Sequence, residues 1–268
     1  MKIGIAGFGS VGQSVAAALT KGAIPEAELV AISARDLDKA RTRAALLNPA
    51  LQVVPLPELA PLCDVVVEAA TGASLPEIAT EVLRHGKDLI CVSAGGILAI
   101  PDLEALARRH GAKVQIASGT MPGLDLLRAA AEGTLHSVRL KSRSKPATLV
   151  NEAYVLEQGL DFRTTPPTAP VKVFEGPARM AAIHFPKHLN IAVAVSLAGI
   201  GLDRTIVELW MDPHIPGAIS VLQIEAEEVS LTLESRNLPS ANPKTSRIVA
   251  PSVLAAIRSR VATIRVGS

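Results

Sequence analysis

Residues Lys2-Ile3-Gly4-Ile5-Ala6 run straight into Gly7-Phe8-Gly9-Ser10-Val11-Gly12, and no other feature restricts the fold so tightly. An apolar strand ends at a G-x-G-x-x-G turn, and a run of small residues from Gln13 to Thr20 then continues as a helix. Gly7 suits the tight turn, Gly9 a close backbone approach to a pyrophosphate, and Gly12 close packing of helix on strand. Phosphate would sit at the helix N-terminus, where unpaired N–H groups and the helix dipole favour negative charge. Gly7, Gly9, Ser10, Val11 and Gly12 are therefore the candidate cradle for a dinucleotide.

The rest of the first half repeats the alternation. Leu29–Ile32 reads as a strand, Asp36–Leu47 as a helix, and Asp64–Ala70 as a β-branched strand buried on both faces. Pro76–His85 reads as a helix stopped at Gly86, Asp88–Val92 as a strand, Asp102–His110 as a helix and Lys113–Ala117 as a strand. Strands separated by helices at this spacing require right-handed crossovers. The expected fold is α/β: a Rossmann-type doubly wound parallel sheet over residues 1–120. Ala70, at the end of the third of these strands, joins the cofactor candidates.

After Gly119 the pattern changes. A helix at Leu124–Glu132 precedes Ser137–Ser144, where apolar and basic residues alternate as in a half-buried strand. Val171–Phe174, Thr205–Met211, Ser220–Ala226 and Val229–Ser235 read as further strands, and Ala178–Phe185 and Ile191–Leu197 as helices. This predicts an inserted mixed α/β catalytic and dimerisation domain over 121–241. A helix (Ser246–Arg260) within 242–268 would then return to the first domain.

Dinucleotide sites that take NAD place a carboxylate about twenty residues past the glycines, where it binds the ribose hydroxyls. Here that position is Ala34, between Ser33 and Arg35. Without the carboxylate a 2′-phosphate is not repelled, and Arg35 can hold it by charge-assisted hydrogen bonds. The expected cofactor is NADP, read by Ser33 and Arg35. NAD remains the alternative if Asp36 bends back to the ribose or Arg35 is only a solvated charge.

Composition excludes several classes. Hydrophobic residues make up 49% of the 268 but aromatics only 2%, and the net charge is +2. There is no basic field with stacking aromatics for nucleic acid. No apolar run is long enough to cross a bilayer, and with the first strand beginning at residue two no leader is expected. Cys63 and Cys91 lie apart, without metal-ligand or C-x-x-C spacing, and read as buried small hydrophobes. No metal and a reducing, cytoplasmic setting are expected.

Val92-Ser93-Ala94-Gly95-Gly96 and Ala117-Ser118-Gly119-Thr120-Met121-Pro122-Gly123-Leu124-Asp125 resemble the S-x-G-A and A-S-G-A-x-x-G-L-D motifs of the L-aspartate dehydrogenase family. Phe174-Glu175-Gly176-Pro177-Ala178-Arg179, Phe185-Pro186-Lys187-His188-Leu189-Asn190 and Leu197–Asp203 resemble its F-x-G-x-A-R, F-P-K-N-x-N and L-A-G-x-G-x-D segments. Asn242-Pro243-Lys244-Thr245-Ser246 resembles a further motif. The resemblance implies a homodimer that oxidises an amino acid to its imine with NAD(P), or runs the reverse. It also implies that Thr120 and Asn190 lie beside the nicotinamide. Read on its own, Ser118 or Thr120 could equally be a helix N-cap.

One departure bears on catalysis. After Asp-Pro the family carries an N-x-H pair, whose histidine is its acid/base residue; in Asp212–Ser220 those two positions are Ala218 and Ser220. A serine hydroxyl does not titrate near neutral pH. The first asparagine of F-P-K-N-x-N is instead His188, so an imidazole lost at Ser220 is regained at His188, unless His188 merely faces solvent. His214, close to the altered segment, is a second candidate. His85 and His110 read as helix C-terminal residues, His136 as a loop residue and His184 as a helix-face residue. Arg143 and Lys145, at the end of a basic strand with Arg139 and Lys141, are candidates to hold a substrate carboxylate, or else part of a solvated face.

These observations lead to an NAD(P)-dependent oxidoreductase acting on a small amino acid or its imine, with His188, Ser220 and Asn190 as the catalytic candidates. Two rivals remain: a reductase of another imine or carbonyl compound, and a catalytically silent dinucleotide-binding protein.

Overall fold

The computed structural model describes residues 1–186, 188, 190–238 and 246–267. The chain divides into two units, Met1–Gly119 with Ile248–Arg265, and Thr120–Arg247 with Val266–Ser268.

The first unit alternates strands and helices: β1 (Lys2–Ala6), α1 (Ser10–Thr20), β2 (Glu28–Ser33), α2 (Leu37–Ala45), β3 (Gln52–Val53), α3 (Leu56–Leu62), β4 (Val65–Glu68), α4 (Leu75–Arg84), β5 (Asp88–Cys91), α5 (Leu103–Arg109) and β6 (Val114–Ile116). The strands form a parallel sheet in the order β3-β2-β1-β4-β5-β6. This is a doubly wound order, with its switch point between β1 and β4. Two apolar layers enclose it. One gathers Ile3, Ile5, Val15, Ile32 and Val67, the other Leu59, Val66, Leu75, Leu83 and Leu89. Odd and even residues of the same strands feed opposite layers, which is why these strands read as unbroken apolar runs.

In the second unit, α6 (Leu124–Ala131), β7 (Leu135–Ser144), α7 (Ala153–Glu157), β8 (Val171–Pro177), α8 (Ala178–His184), α9 (Asn190–Ala198), β9 (Ile206–Met211), β10 (Ile219–Ala226) and β11 (Ser230–Arg236) follow in order. The sheet order is β11-β10-β7-β9-β8, antiparallel except for β7 with β9. Val138, Leu140, Val207, Leu209, Leu222 and Ile224 turn to one face and join Leu127, Ala192 and Val195 of the helices, with Phe185 just past α8, in a single core. The opposite face carries Arg139, Lys141, Arg143, Glu208 and Trp210.

The last helix, α10 (Val249–Val261), returns to the first unit, where Val253 and Ile257 are fully buried in the layer that contains Ile5 and Val15. Arg260 on this helix forms an ion pair with Asp88 at the start of β5, and Arg258 donates to the Ala23 carbonyl at 2.6 Å.

Three elements escape sequence periodicity. Strand β3 has only two residues, α3 holds Pro57 in its first turn and Pro61 within it, and α7 is barely one turn long. His136, read as a loop residue, lies in β7 with its side chain exposed, because this strand starts at Leu135.

Candidate functional site

In the first unit the glycine turn is built by contact. Gly12 lies against the Gly7 carbonyl, and a Cβ there would come within 2.2 Å of that oxygen. Gly7 has φ +102°, a left-handed conformation that favours glycine, and a Cβ would meet Ala69 and Ala70 backbone atoms at 2.5–2.6 Å. Its N–H donates to the Ser33 carbonyl at 2.8 Å. Gly7, Ser33 and Ala70, three of the sequence candidates, are thus brought together where β1, β2 and β4 end.

Gly9 differs from both. A Cβ there meets nothing within 4 Å, so the space in front of it is open. It is the N-cap of α1, with no side chain capping the exposed N–H groups and no acidic residue in the first turn. Such an end is uncompensated positive potential, suited to an anion. Ser10 and Val11 begin the helix there. These residues fit the pyrophosphate of a dinucleotide.

At the end of β2, Ser33 is 4% exposed and Arg35 is exposed. Asp36 is committed elsewhere: its Oδ1 accepts from the Lys39 N–H at 3.0 Å and caps α2. The carboxylate that could have bent back to a ribose is held at a helix terminus.

Glu68, at the end of β4, was not singled out by sequence reasoning, since it follows three valines and reads as strand. It is 0% exposed. Its carboxylate accepts from Ala70 N–H at 2.8 Å, Ser93 N–H at 2.8 Å and Val92 N–H at 3.1 Å. Beside it, the Cys91 thiol donates at 3.6 Å. Burial first, then the charge on Glu68, pushes the Cys91 thiol far up; burial pushes the Cys63 thiol up to about 11. Neither cysteine is a thiolate at neutral pH, as expected for small buried hydrophobes.

In the second unit Ser220 is 2% exposed. It lies on β10 directly opposite Ser142 of β7 and Ser235 of β11. The preceding segment is pinned to Asn237, whose N–H donates to the Ala218 carbonyl at 2.8 Å and whose Oδ1 accepts from Ser246 Oγ at 2.7 Å. Gly217 packs so tightly there that a Cβ would lie 2.0 Å from the Asn237 carbonyl. Asn242–Thr245 lie outside the described residues, so the motif resemblance there has no structural counterpart.

Asp212 explains two sequence candidates. It is 1% exposed, forms an ion pair with Arg143, and accepts from the His214 N–H at 2.9 Å. Burial raises this carboxyl, but the His214 N–H and then the Arg143 guanidinium outweigh it and hold the group below the usual range. Arg143 is therefore engaged with a buried carboxylate. His214 Nε2 lies 2.9 Å from the Thr168 carbonyl, where it serves as donor. Lys145, just past β7, is exposed.

His188 Nε2 lies 3.0 Å from Glu152 Oε1. The His188 side chain is 28% exposed, on a residue exposed as a whole, and that of Glu152 is 17% exposed. Glu152 had no sequence signal, because its partner lies 36 residues away. His184 instead stacks on Tyr154 at 4.2 Å between ring centroids. Asn190 opens α9 and is exposed. Thr120 is the first residue of the second unit. Neither Ser118 nor Thr120 caps α6: that role falls to Gly123, with φ +73°, since the helix starts only at Leu124.

Residues 7–117 match the family model described as homoserine dehydrogenase, NAD binding domain, and residues 125–260 the model described as aspartate dehydrogenase, C-terminal. The chain is 38% identical to L-aspartate dehydrogenase of Bradyrhizobium diazoefficiens, over 100% of this chain and 94% of that one. It is also 38% identical to L-aspartate dehydrogenase 3 of Bordetella bronchiseptica, over 99% and 97% of the two chains. Aspartate dehydrogenase from Thermotoga maritima superposes with a TM-score of 0.71 over 100% of this chain and 99% of that one; at 20% identity this speaks to the fold alone.

Two glycine variants separate ligand space from packing. Gly9→Val should leave the melting temperature almost unchanged and abolish dinucleotide binding. Gly12→Ala should lower stability by about 1–3 kcal/mol, because its Cβ meets backbone that cannot move aside. Thermal melts with NADPH and NADH titrations read both; unchanged dinucleotide affinity in Gly9→Val would make the turn purely structural.

Proposed function

This chain belongs to the L-aspartate dehydrogenase family, and on that premise we propose an NAD(P)-dependent oxidoreductase for a small amino acid or its imine, poorly suited to aspartate itself. One observation carries the last clause. The position of the family's imidazole is Ser220, buried opposite a serine on each neighbouring strand, and a serine hydroxyl does not titrate near neutral pH.

When bound, the nicotinamide would supply the hydride acceptor or donor for the substrate α-carbon. Gly7, Gly9, Ser10, Val11, Gly12 and Ala70 would hold the pyrophosphate side, and Thr120 and Asn190 would be the residues for the ring. Oxidation of the amine leaves an imine and releases one proton. In the reverse direction the imine nitrogen must receive one. His188 carries that proton in this reading, and Glu152 orients it. With Nε2–H directed at the carboxylate, Nδ1 is left to accept and return the proton, the logic by which carboxylates position catalytic imidazoles. Lys145 is the better candidate for the substrate carboxylate, because Arg143 is engaged with Asp212 and Lys145 makes no ion pair among the described residues.

NADP is the preferred cofactor: Ala34 leaves the ribose 2′ position uncontested, Arg35 is at hand, and Asp36 is occupied as a helix cap. We assign a cytoplasmic homodimer. Two buried, unpaired thiols suit a reducing compartment. The second sheet's outer face supports the dimer, with Trp210 under Lys141 at 4.4 Å and Lys172 at 5.8 Å. A reductase of a different imine or carbonyl compound is favoured by the same Ser220 and remains the second reading.

Direct titration should show tighter binding of NADP than of NAD, and Arg35→Ala should lose NADP affinity far more than NAD affinity. Tighter NAD binding by the unaltered protein would overturn the assignment.

Steady-state rates should be low with aspartate and fall about a hundredfold or more in His188→Ala with any accepted substrate, with cofactor affinity little changed. The double change Ala218→Asn with Ser220→His should raise aspartate turnover. Efficient aspartate oxidation by the unaltered protein, together with a fully active His188→Ala variant, would contradict both the relocated imidazole and the altered specificity.

A further inference from the structure

A fully buried carboxylate is costly unless its oxygens are met by donors, so Glu68 and its three N–H partners exist only as a set. The donors come from two separate loops. Ala70 belongs to the segment leaving β4, and Val92 and Ser93 to the segment leaving β5. A few residues further on, the same two loops touch again without side chains: a Cβ on Gly96 would fall 2.3 Å from the Gly72 carbonyl. The first loop also abuts the glycine turn, since the Ala70 nitrogen sits 2.5 Å from where a Gly7 Cβ would be. Glu68 thus stands at the switch point of the sheet, where ligands of doubly wound folds bind outside the carboxyl ends of the strands.

We propose that Glu68 is a positioning residue for dinucleotide binding: its buried carboxylate clamps the β4 and β5 loops together and so fixes the Ala69–Ala70 backbone against which the Gly7 turn is set. The clamp rests on reading that turn as a dinucleotide cradle. Glu68 touches no reacting atom, being sealed from solvent. Its charge gathers N–H groups of two loops onto one side chain, and charge-assisted bonds of this kind are about twice as strong as neutral ones. Substituting glutamine keeps the length but presents an NH2 to one of the loops, donor against donor. Substituting alanine releases both.

The test measures NADPH and NADH dissociation constants by cofactor fluorescence, well below each variant's melting temperature, with amide hydrogen exchange alongside. Glu68→Gln should weaken binding of whichever dinucleotide the unaltered protein prefers by about tenfold, and Glu68→Ala by more. Exchange should quicken locally in the peptides covering 69–72 and 92–96, while β1 and β2 keep their protection. Should Glu68→Ala fail to fold, Glu68→Gln alone decides. A folded Glu68→Gln protein with lowered melting temperature but unchanged dinucleotide affinity would overturn the proposal and leave Glu68 a purely structural group. Failure of the unaltered protein to bind either dinucleotide would overturn the cradle itself, and the clamp's purpose with it.

Discussion

The approach of Gly12 to the Gly7 carbonyl is the constraint on which the nucleotide-binding unit depends. A methyl group at Gly12 would overlap that oxygen, at 2.2 Å, so α1 lies closer to the end of β1 than any other residue would permit. That closeness aims the helix N-terminus across the carboxyl edge of the sheet, and Gly9 then faces open space. The same turn forces Gly7 into a left-handed conformation against Ala69 and Ala70. Those residues are held by Glu68, which reaches across to the loop after β5. One steric contact thereby propagates through three strand ends: β1 meets β4 backbone to backbone, and the Glu68 carboxylate joins β4 to β5.

The second unit follows a different economy. Its sheet has one apolar face, and charged residues with a lone tryptophan on the other. Polar groups within it are committed to one another: Arg143 to Asp212, His214 to the Thr168 carbonyl, Ala218 to Asn237. Ser220 sits among serines. Where relatives of this family are expected to place an imidazole this chain has Ser220, and elsewhere in the unit His188 and Glu152 form an imidazole–carboxylate pair. In the proposed reading, proton handling moves to that pair within the same domain, and the chemistry required of it is unchanged.

Much of the fold was legible because its signals are local. Strands buried on both faces announce themselves as runs such as Val65-Val66-Val67, and the glycine turn has a fixed spacing. What stayed hidden was set by contacts distant in sequence. Helix α3 carries two prolines in seven residues and forms because Leu59 and Ala60 find buried places. The role of Asp36 turned on where α2 begins. Arg143 looked like a free cation until Asp212, 69 residues on, was seen beside it. Glu68 was concealed by its own strand, and Glu152 by lying in a segment with no periodicity. The glycine cradle could be read residue by residue, whereas partners of the catalytic candidates could not, since ion pairs between residues far apart in sequence leave no pattern there.

The proposed reaction passes a hydride between a bound nicotinamide and the α-carbon of an amino acid or imine. The most direct measurement supplies NADPH and NADH deuterated at C4 on both faces, with ammonia and a panel of small oxo acids that includes oxaloacetate, and examines the products by mass spectrometry and NMR. One deuterium is expected at the α-carbon of an amino acid product, with less product from oxaloacetate than from a better substrate. Dinucleotide bound with undiminished affinity, yet no deuterium delivered to any carbon, would contradict it.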